Sequence, residues 1–304
     1  MIHSWTQQLD RRRFLGTLAA GSVAAAATRL ARAAEGPSQA KWTLRLSASS
    51  IAFTRLPIEQ AVQRIAQLGF EAIDIWSAHA GCTHLNDVQK RLGADGLRTL
   101  LDKHHLKLYA FSVYHDGYPK YAELLGKVGG GVAIHGAPGG DTKQLAARMK
   151  AYLKSLQPEI ELAEKYNSYL AIENHAGTIL NSPDSFKAFV EENRSPRVGI
   201  ALAPYHLQAG RFSVEEVIGI VGKHLLFFYA WQHAGGVGQL PGHGPADFTP
   251  WIAALAKANY GGYVNPFLHG EPEPDATAAA LGKSRDYLKQ CFGKSDSGWQ
   301  HRKS

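Results

Sequence analysis

The chain has 304 residues, 45% of them hydrophobic and 19% charged, enough to build one large core. Its formal charge of +7 gathers at the ends: residues 1–33 carry five Arg against one Asp, and the last residues add Lys294, Arg302 and Lys303 against Asp296. The body is therefore close to neutral and shows no clustered basic stripe, which argues against a nucleic-acid partner. Two cysteines, Cys82 and Cys291, are too few for a disulfide framework, and a single bridge between them stays open.

The first element is a targeting segment. Asp10-Arg11-Arg12-Arg13-Phe14-Leu15 sets paired arginines before an apolar stretch that runs to about Ala27, and Ala31-Arg32-Ala33 supplies small residues at a cleavage site. This is the pattern of a twin-arginine signal peptide over residues 1–33. The stretch falls short of the ~20 apolar residues of a membrane span. The expected product is a periplasmic protein of roughly 270 residues with no membrane span after cleavage.

Eight apolar runs of strand length follow, at 43–48, 71–76, 106–112, 131–135, 168–173, 197–202, 225–231 and 262–267. Helix starts are legible between them. Pro57, Pro183 and Pro250 suit first helical positions, where a missing N–H costs nothing. Ser182 and Thr249 are placed as N-caps, and Ser213-Val214-Glu215-Glu216 reads as a capping box. The longest predicted helix, about 142–166, carries Leu145, Met149, Leu153, Leu156, Ile160 and Leu162 at near-helical spacing.

Strand alternating with helix eight times predicts a single (β/α)8 TIM barrel over residues 42–293, followed by a basic flexible tail over 294–304. A doubly wound open sheet would want a phosphate-binding glycine fingerprint. Gly129-Gly130-Gly131 precedes a strand instead of opening a helix, so it reads as a turn.

In such a barrel, reactive groups gather where strands end. Asp74 and Trp76 close the second predicted strand, with His79 beyond; Tyr114 follows the third and His135 ends the fourth. Glu173, Asn174 and His175 end the fifth, and Tyr205 and His206 follow the sixth. Tyr229, Trp231, Gln232 and His233 end the seventh, and Asn265 and His269 the eighth. Histidine is a common metal ligand and a proton carrier near neutral pH. Trp76, Tyr114, Tyr229 and Trp231 are either barrel-mouth packing or walls on which sugar rings stack. Cys82 and His84 read as a local loop, and His243 lies in a tight loop from which it could reach the rim.

Leu170-Ala171-Ile172-Glu173-Asn174-His175, Val198-Gly199-Ile200 through His206, Leu240-Pro241-Gly242-His243-Gly244 through Asp247-Phe248, and Tyr260-Gly261-Gly262-Tyr263-Val264 together carry a resemblance. The chain resembles the xylose-isomerase-like sugar isomerase/epimerase superfamily over about residues 43–290, a barrel shared with apurinic-site endonucleases. The resemblance implies a divalent ion held by a glutamate after the fifth strand, an aspartate after the sixth, a histidine on the seventh and a glutamate on the eighth. Glu173 matches the first, whereas Ala203, Tyr229 and Asn265 stand at the other three positions. A hard cation favours several anionic oxygens, so Mn²⁺ or Mg²⁺ is expected to bind weakly. The donors left, Glu173, His206, Gln232 or His233, and His269, suit one transition metal, Zn or Mn, or none.

The expected function is an exported sugar isomerase- or epimerase-like enzyme, or a lyase, that abstracts a proton beside a carbonyl of a sugar or oxidised sugar. Glu173 is the expected base, with His175 assisting proton return. Expected metal ligands are Glu173, His206, Gln232 and His269. Expected contacts to a small carbohydrate are Trp76, His79, Tyr114, His135, Tyr205, Tyr229, Trp231, His233, His243 and Asn265. The alternative is a non-catalytic carbohydrate-binding barrel that has lost the family metal site. Phosphodiester hydrolysis would want a cluster of metal ligands and a basic face, and neither is visible.

Overall fold

Eight parallel strands wind in sequence order, each hydrogen-bonded to the next, with helices between them. The computed structural model describes residues 42–77, 79–140, 143–270 and 272–300; the predicted signal peptide and residues 301–304 lie outside them. The strands are β1 (Ser47–Ser49), β2 (Ala72–Trp76), β3 (Lys107–Ser112), β4 (Gly131–Gly136), β5 (Ser168–Glu173), β6 (Val198–Leu202), β7 (Leu225–Ala230) and β8 (Val264–Pro266). A parallel bridge between Leu46 and Val264 joins the first strand to the last, and Val264 donates its N–H to Arg45 O at 2.9 Å. This is the expected (β/α)8 TIM barrel.

The principal helices are α1 (Ile58–Gln67), α2 (Gly93–Lys103), α3 (Tyr118–Lys127), α4 (Leu145–Ser155), α5 (Gln157–Lys165), α6 (Pro183–Glu192), α7 (Pro204–Ala209), α8 (Val214–Val221), α9 (Thr249–Lys257) and α10 (Pro274–Gln300). Ser182 caps α6 in a reciprocal box with Ser185, and the Ser213 hydroxyl accepts the Glu216 N–H at the start of α8.

Four local expectations change. The predicted helix at 142–166 is two, because Pro158 lacks the N–H that a continuous helix would need there. Thr249 is not the cap of α9. Asp247 accepts the Thr249 N–H instead, so the helix begins one residue before Pro250. Pro57 precedes α1 as its capping residue rather than its first turn. The tail is helical through Gln300, since α10 continues past residue 293. Cys82 and Cys291 are both buried and free. No helix among the described residues is long and apolar enough to cross a membrane.

Apolar side chains fall into two layers. The larger lies between sheet and helices and takes outward residues such as Ile73, Ile75, Ile172, Ile200 and Leu202. The smaller fills the barrel with Ala72, Trp76, Ala110, Ile134, Ala171, Ala201, Phe227, Tyr229 and Phe267. The alternation follows from the two-residue period of a strand. Four small inward alanines on β2, β3, β5 and β6 leave room for polar side chains in the upper barrel.

Candidate active site

Asp74, on β2 and wholly buried, anchors the floor of the mouth. Its carboxylate accepts from Ser49 at 2.7 Å, from Ser112 at 2.9 and 3.0 Å, and from the Trp76 indole N–H at 2.6 Å. Burial pushes its pKa up to about 7, against the pull of the three donors. Ser49 also lies 3.1 Å from Asn265 Oδ1, and the Asn265 amide donates to Ser47 at 3.0 Å. Small hydroxyls at the ends of β1 and β3 allow this web, because they satisfy a buried carboxylate without bringing a counter-charge.

Above it, two phenols bridge to the second carboxylate. The Tyr114 and Tyr229 hydroxyls are 3.0 Å apart. Tyr114 lies close enough to Glu173, and Ser112 to Tyr229, for each to lower the pKa of its neighbour. Neighbouring polar groups therefore run Asp74, Ser112, Tyr229, Tyr114, Glu173, with hydrogen bonds from Ser112 to Asp74 and between the two phenols. Glu173 ends β5, half-buried at the rim. Desolvation raises its pKa to about 7, the Tyr114 hydroxyl lowers it, and the Asp74 charge raises it. Desolvation also holds both phenols well above their usual range, so they stay protonated.

Aromatic walls continue from Tyr114 across the mouth. Trp76 stacks on Phe267 at 5.3 Å and tilts against Tyr114 at 5.0 Å. Tyr205 stacks on Trp231 at 4.2 Å. Gln239 fixes the second wall: its Oε1 takes the Trp231 indole N–H at 2.7 Å and the His269 N–H at 3.2 Å, while its amide donates to His269 O at 2.9 Å. Imidazoles finish the rim. His175, exposed, lies 4.0 Å from the His206 ring, and His79 and His269 flank Trp76. Burial and neighbouring histidines depress His206 to about 3 and His269 to about 4, and burial lowers His79. The His206 and His269 rings are therefore neutral near pH 7. His233 is exposed, its ring 4.8 Å from Tyr205.

Nine of the expected residues thus meet at the mouth: Glu173, His175, His206, His269, Trp76, His79, Tyr114, Tyr205 and Trp231. His233 sits at its outer edge, and Tyr229 lies beneath, reaching the mouth only through Tyr114. Four are elsewhere. Gln232 spends both amide atoms on a loop, donating to Leu240 O at 2.8 Å and accepting the Ala246 N–H at 2.7 Å. Asn265 is wholly buried under the floor, bonded to serines. His243 turns to Ala280 O at 3.1 Å, on α10. His135 shares the outward face of β4 with Ala133, and its Nε2 lies 3.7 Å from Glu159 on α5. Strand period explains His135, since Ile134 takes the inward place. The serines and Gln239 were not candidates, because hydroxyls and amides of that kind occur throughout a sequence. Asp74 was visible at its strand end, and only the register shift, an extra residue at Tyr109, sets Ala110 opposite Asp74 and Ser112 opposite Trp76, on the face Asp74 shares.

The donor set does not suit the ion the resemblance implied. Ala203 offers a methyl group, Tyr229 a protonated phenol bonded to Tyr114, and Asn265 an amide bonded to Ser47 and Ser49. The four expected ligands do not converge, and no group of three His, Cys, Asp or Glu among the described residues could hold a metal.

The family model described as xylose isomerase-like TIM barrel matches residues 62–291. Among solved structures, 3-keto-D-glucoside 4-epimerase YcjR from E. coli is 16% identical, with a TM-score of 0.62 over 80% of this chain and 100% of that one. D-psicose 3-epimerase is 15% identical, with a TM-score of 0.64 over 82% and 100%. The IOLI protein, solved with a zinc atom, is 16% identical, with a TM-score of 0.64 over 83% and 99%. These likenesses show the fold. No curated protein matches the sequence. With eight parallel strands around a carboxylate-bearing mouth and a family model spanning most of its length, the chain belongs to the xylose isomerase-like TIM barrel family.

Proposed function

We propose that the protein is an exported sugar isomerase- or epimerase-like enzyme in which Glu173 abstracts a proton from carbon beside a carbonyl. One observation carries the reading: a carboxylate at the strand end of an aromatic-walled mouth, with its pKa raised to about 7 by burial. A base poised near working pH is available in ionised form and is still basic enough to accept a carbon-bound proton. The sugar ring stacks on the part-exposed rings of Tyr114 or Tyr205, which are backed by the buried Trp76 and Trp231, edge groups facing Glu173. The C–H proton passes to Glu173, and the bonding pair moves onto the carbonyl oxygen to form an enediolate. A neutral imidazole N–H at the rim, His269 or His79, stabilises that oxygen, as only a neutral ring with a depressed pKa can without first becoming cationic. Return of the proton to the same carbon on the other face gives epimerisation, and to the neighbouring carbon, isomerisation; His175 is placed to assist. Loss of an oxygen substituent from the next carbon instead gives elimination.

Two solved relatives are named as sugar epimerases, which supports the substrate class. The IOLI structure holds zinc, but the donors in this chain do not fit an ion, and no step above passes through one. The export pattern of residues 1–33 supports a periplasmic site of action.

The test is solvent deuterium incorporation into a panel of ketoses, aldoses and keto-glycosides. Exchange at a carbon beside the carbonyl, lost in Glu173→Gln, is the expected result. Exchange that survives that substitution would remove Glu173 as the base. The second reading, a binding barrel without turnover, draws on the three lost ligand positions. It predicts sugar binding with no exchange at any carbon.

A further inference from the structure

Beyond His206, the rim opens into a groove of about 840 Å³ between the β5–α6 loop and the segment from α7 to the start of α8. Ala176 and Gly177 line one side, and Ala209 and Gly210 the other, so four small residues leave the floor low. Phe212 forms a wall and is 36% exposed, rare for a large apolar residue among those described. Gly210 has an ordinary helical φ of −81°, so its backbone does not call for glycine. A Cβ there would come within 2.7 Å of the Phe212 ring. The glycine lets the ring lie flat against the chain and holds it in place while leaving a face in solvent. Acidic and basic side chains are mixed at the edges, where Lys187 pairs with Asp184 at 3.1 Å and Glu216 lies opposite.

A fixed, exposed aromatic face with polar groups around it fits a pyranose, whose C–H faces are apolar and whose rim is hydroxyl. The mixed charges favour a neutral ring over an anionic one. The groove is also continuous with the mouth. Glu173 and Ala176 are three residues apart on one loop, at most about 11 Å even if fully extended. His206, nine-tenths buried with its Nε2 lacking any hydrogen-bond partner, lines the groove while its ring edges onto Trp231 in the mouth.

We propose that this groove is a second sugar subsite, so that the substrate is a glycoside of at least two rings, with the reacting ring over Glu173 and a neutral pyranose against Phe212. The inference rests on the carbohydrate reading of the mouth and names the length of substrate that the mouth accepts. His206 then adjoins both subsites, lining the groove while its ring edges onto Trp231.

Calorimetric titration with glucose against cellobiose, maltose, trehalose and sucrose tests it. At least one two-ring sugar is expected to bind about tenfold tighter than glucose. Phe212→Ala should erase that advantage and leave glucose affinity unchanged, because Phe212 is remote from the walls of the mouth. Gly210→Val, which displaces the ring without removing it, should act in the same direction and covers the case in which the first variant does not fold. Equal affinity for every two-ring sugar and glucose would overturn the subsite, as would an advantage that survives both substitutions. These readouts are independent of turnover. Groove-dependent binding without deuterium exchange would keep the subsite and defeat the catalytic reading, and exchange on one-ring sugars with no groove effect would do the reverse.

Discussion

Two pairs of tyrosines sit inside this barrel, and they come to opposite ends. Near the bottom, Tyr109 and Tyr260 place their hydroxyls 2.8 Å apart; Tyr109 donates to Leu226 O and Tyr260 to Tyr263 O at 3.0 Å. Tyr109 stacks on Phe227 at 4.9 Å, and a Cβ at Gly262 would collide with both hydroxyls. Backbone carbonyls absorb every proton the lower pair can give. Near the top, Tyr114 and Tyr229 are 3.0 Å apart, but the polar groups beside them are Glu173 and Ser112, the second of which donates to Asp74. The same side-chain pair is a plug where carbonyls surround it and a link between carboxylates where they do not. What differs is the acceptor, and only a titratable acceptor makes the pair useful for chemistry.

That contrast can be broken most sharply at Glu173. Glu173→Gln should lower turnover or deuterium exchange by about 10²-fold or more while thermal stability near neutral pH is kept, because a buried ionisable group is replaced by its neutral isostere. In the intact protein, activity should rise with pH through about 7, as Glu173 ionises. A flat rate from pH 5 to 9 would show that no carboxylate at the mouth acts as base.

Asp74 comes next. Asp74→Ala leaves the Trp76 indole and the Ser112 hydroxyl without their acceptor, while Ser49 keeps Asn265 Oδ1; at about 1–3 kcal/mol for each stranded donor it should lower the melting temperature markedly. Asp74→Asn is milder and gives a pH signature. The native pKa of about 7 lies above that of the unfolded chain, so the folded state binds more protons between about pH 4 and 7. Stability therefore falls as pH rises through that window and levels off above it. Glu173 contributes in the same sense. Denaturant titrations in Asp74→Asn should show a shallower slope across the window, and an unaltered slope would mean that Asp74 is ionised throughout.

Tyr114→Phe removes the donor that holds the Glu173 pKa down, so the activity profile should move to higher pH, with a stability loss of about 1 kcal/mol. The smallest effect belongs to the lower pair. Tyr260→Phe should cost about 1 kcal/mol in denaturant titrations and leave the pH profile where it was. A shifted profile in that variant would join the two regions and dissolve the distinction between them.

Much of this was readable from residues in order. Glu173 ended a run of Leu, Ala and Ile bounded by polar residues, and a strand end in an alternating β/α chain has one destination. Gln232 and His243 misled because polar residues beside a strand end also serve the loop that follows it. In Gln232 the amide matches the Leu240 carbonyl and the Ala246 N–H, a pairing fourteen residues long that no local pattern announces. His135 misled by one step of strand register. Asn265 occupied the ligand position that the resemblance implied, yet its partners Ser47 and Ser49 lie more than two hundred residues away.

The barrel, its eight strands and the carboxylate at the end of β5 follow from local pattern, because period and turn chemistry are local and the alternation leaves few topologies. Tertiary structure alone decided which polar residues meet. Closure of β1 on β8 brings Ser49, already opposite Asp74 on β2, to Asn265, and the register shift at Tyr109 puts Ser112 on the face that Asp74 shares. Enclosure by residues from distant strands then raises both carboxylates to about 7. A pKa set by desolvation depends on everything packed around the group, and no stretch of sequence contains its own surroundings.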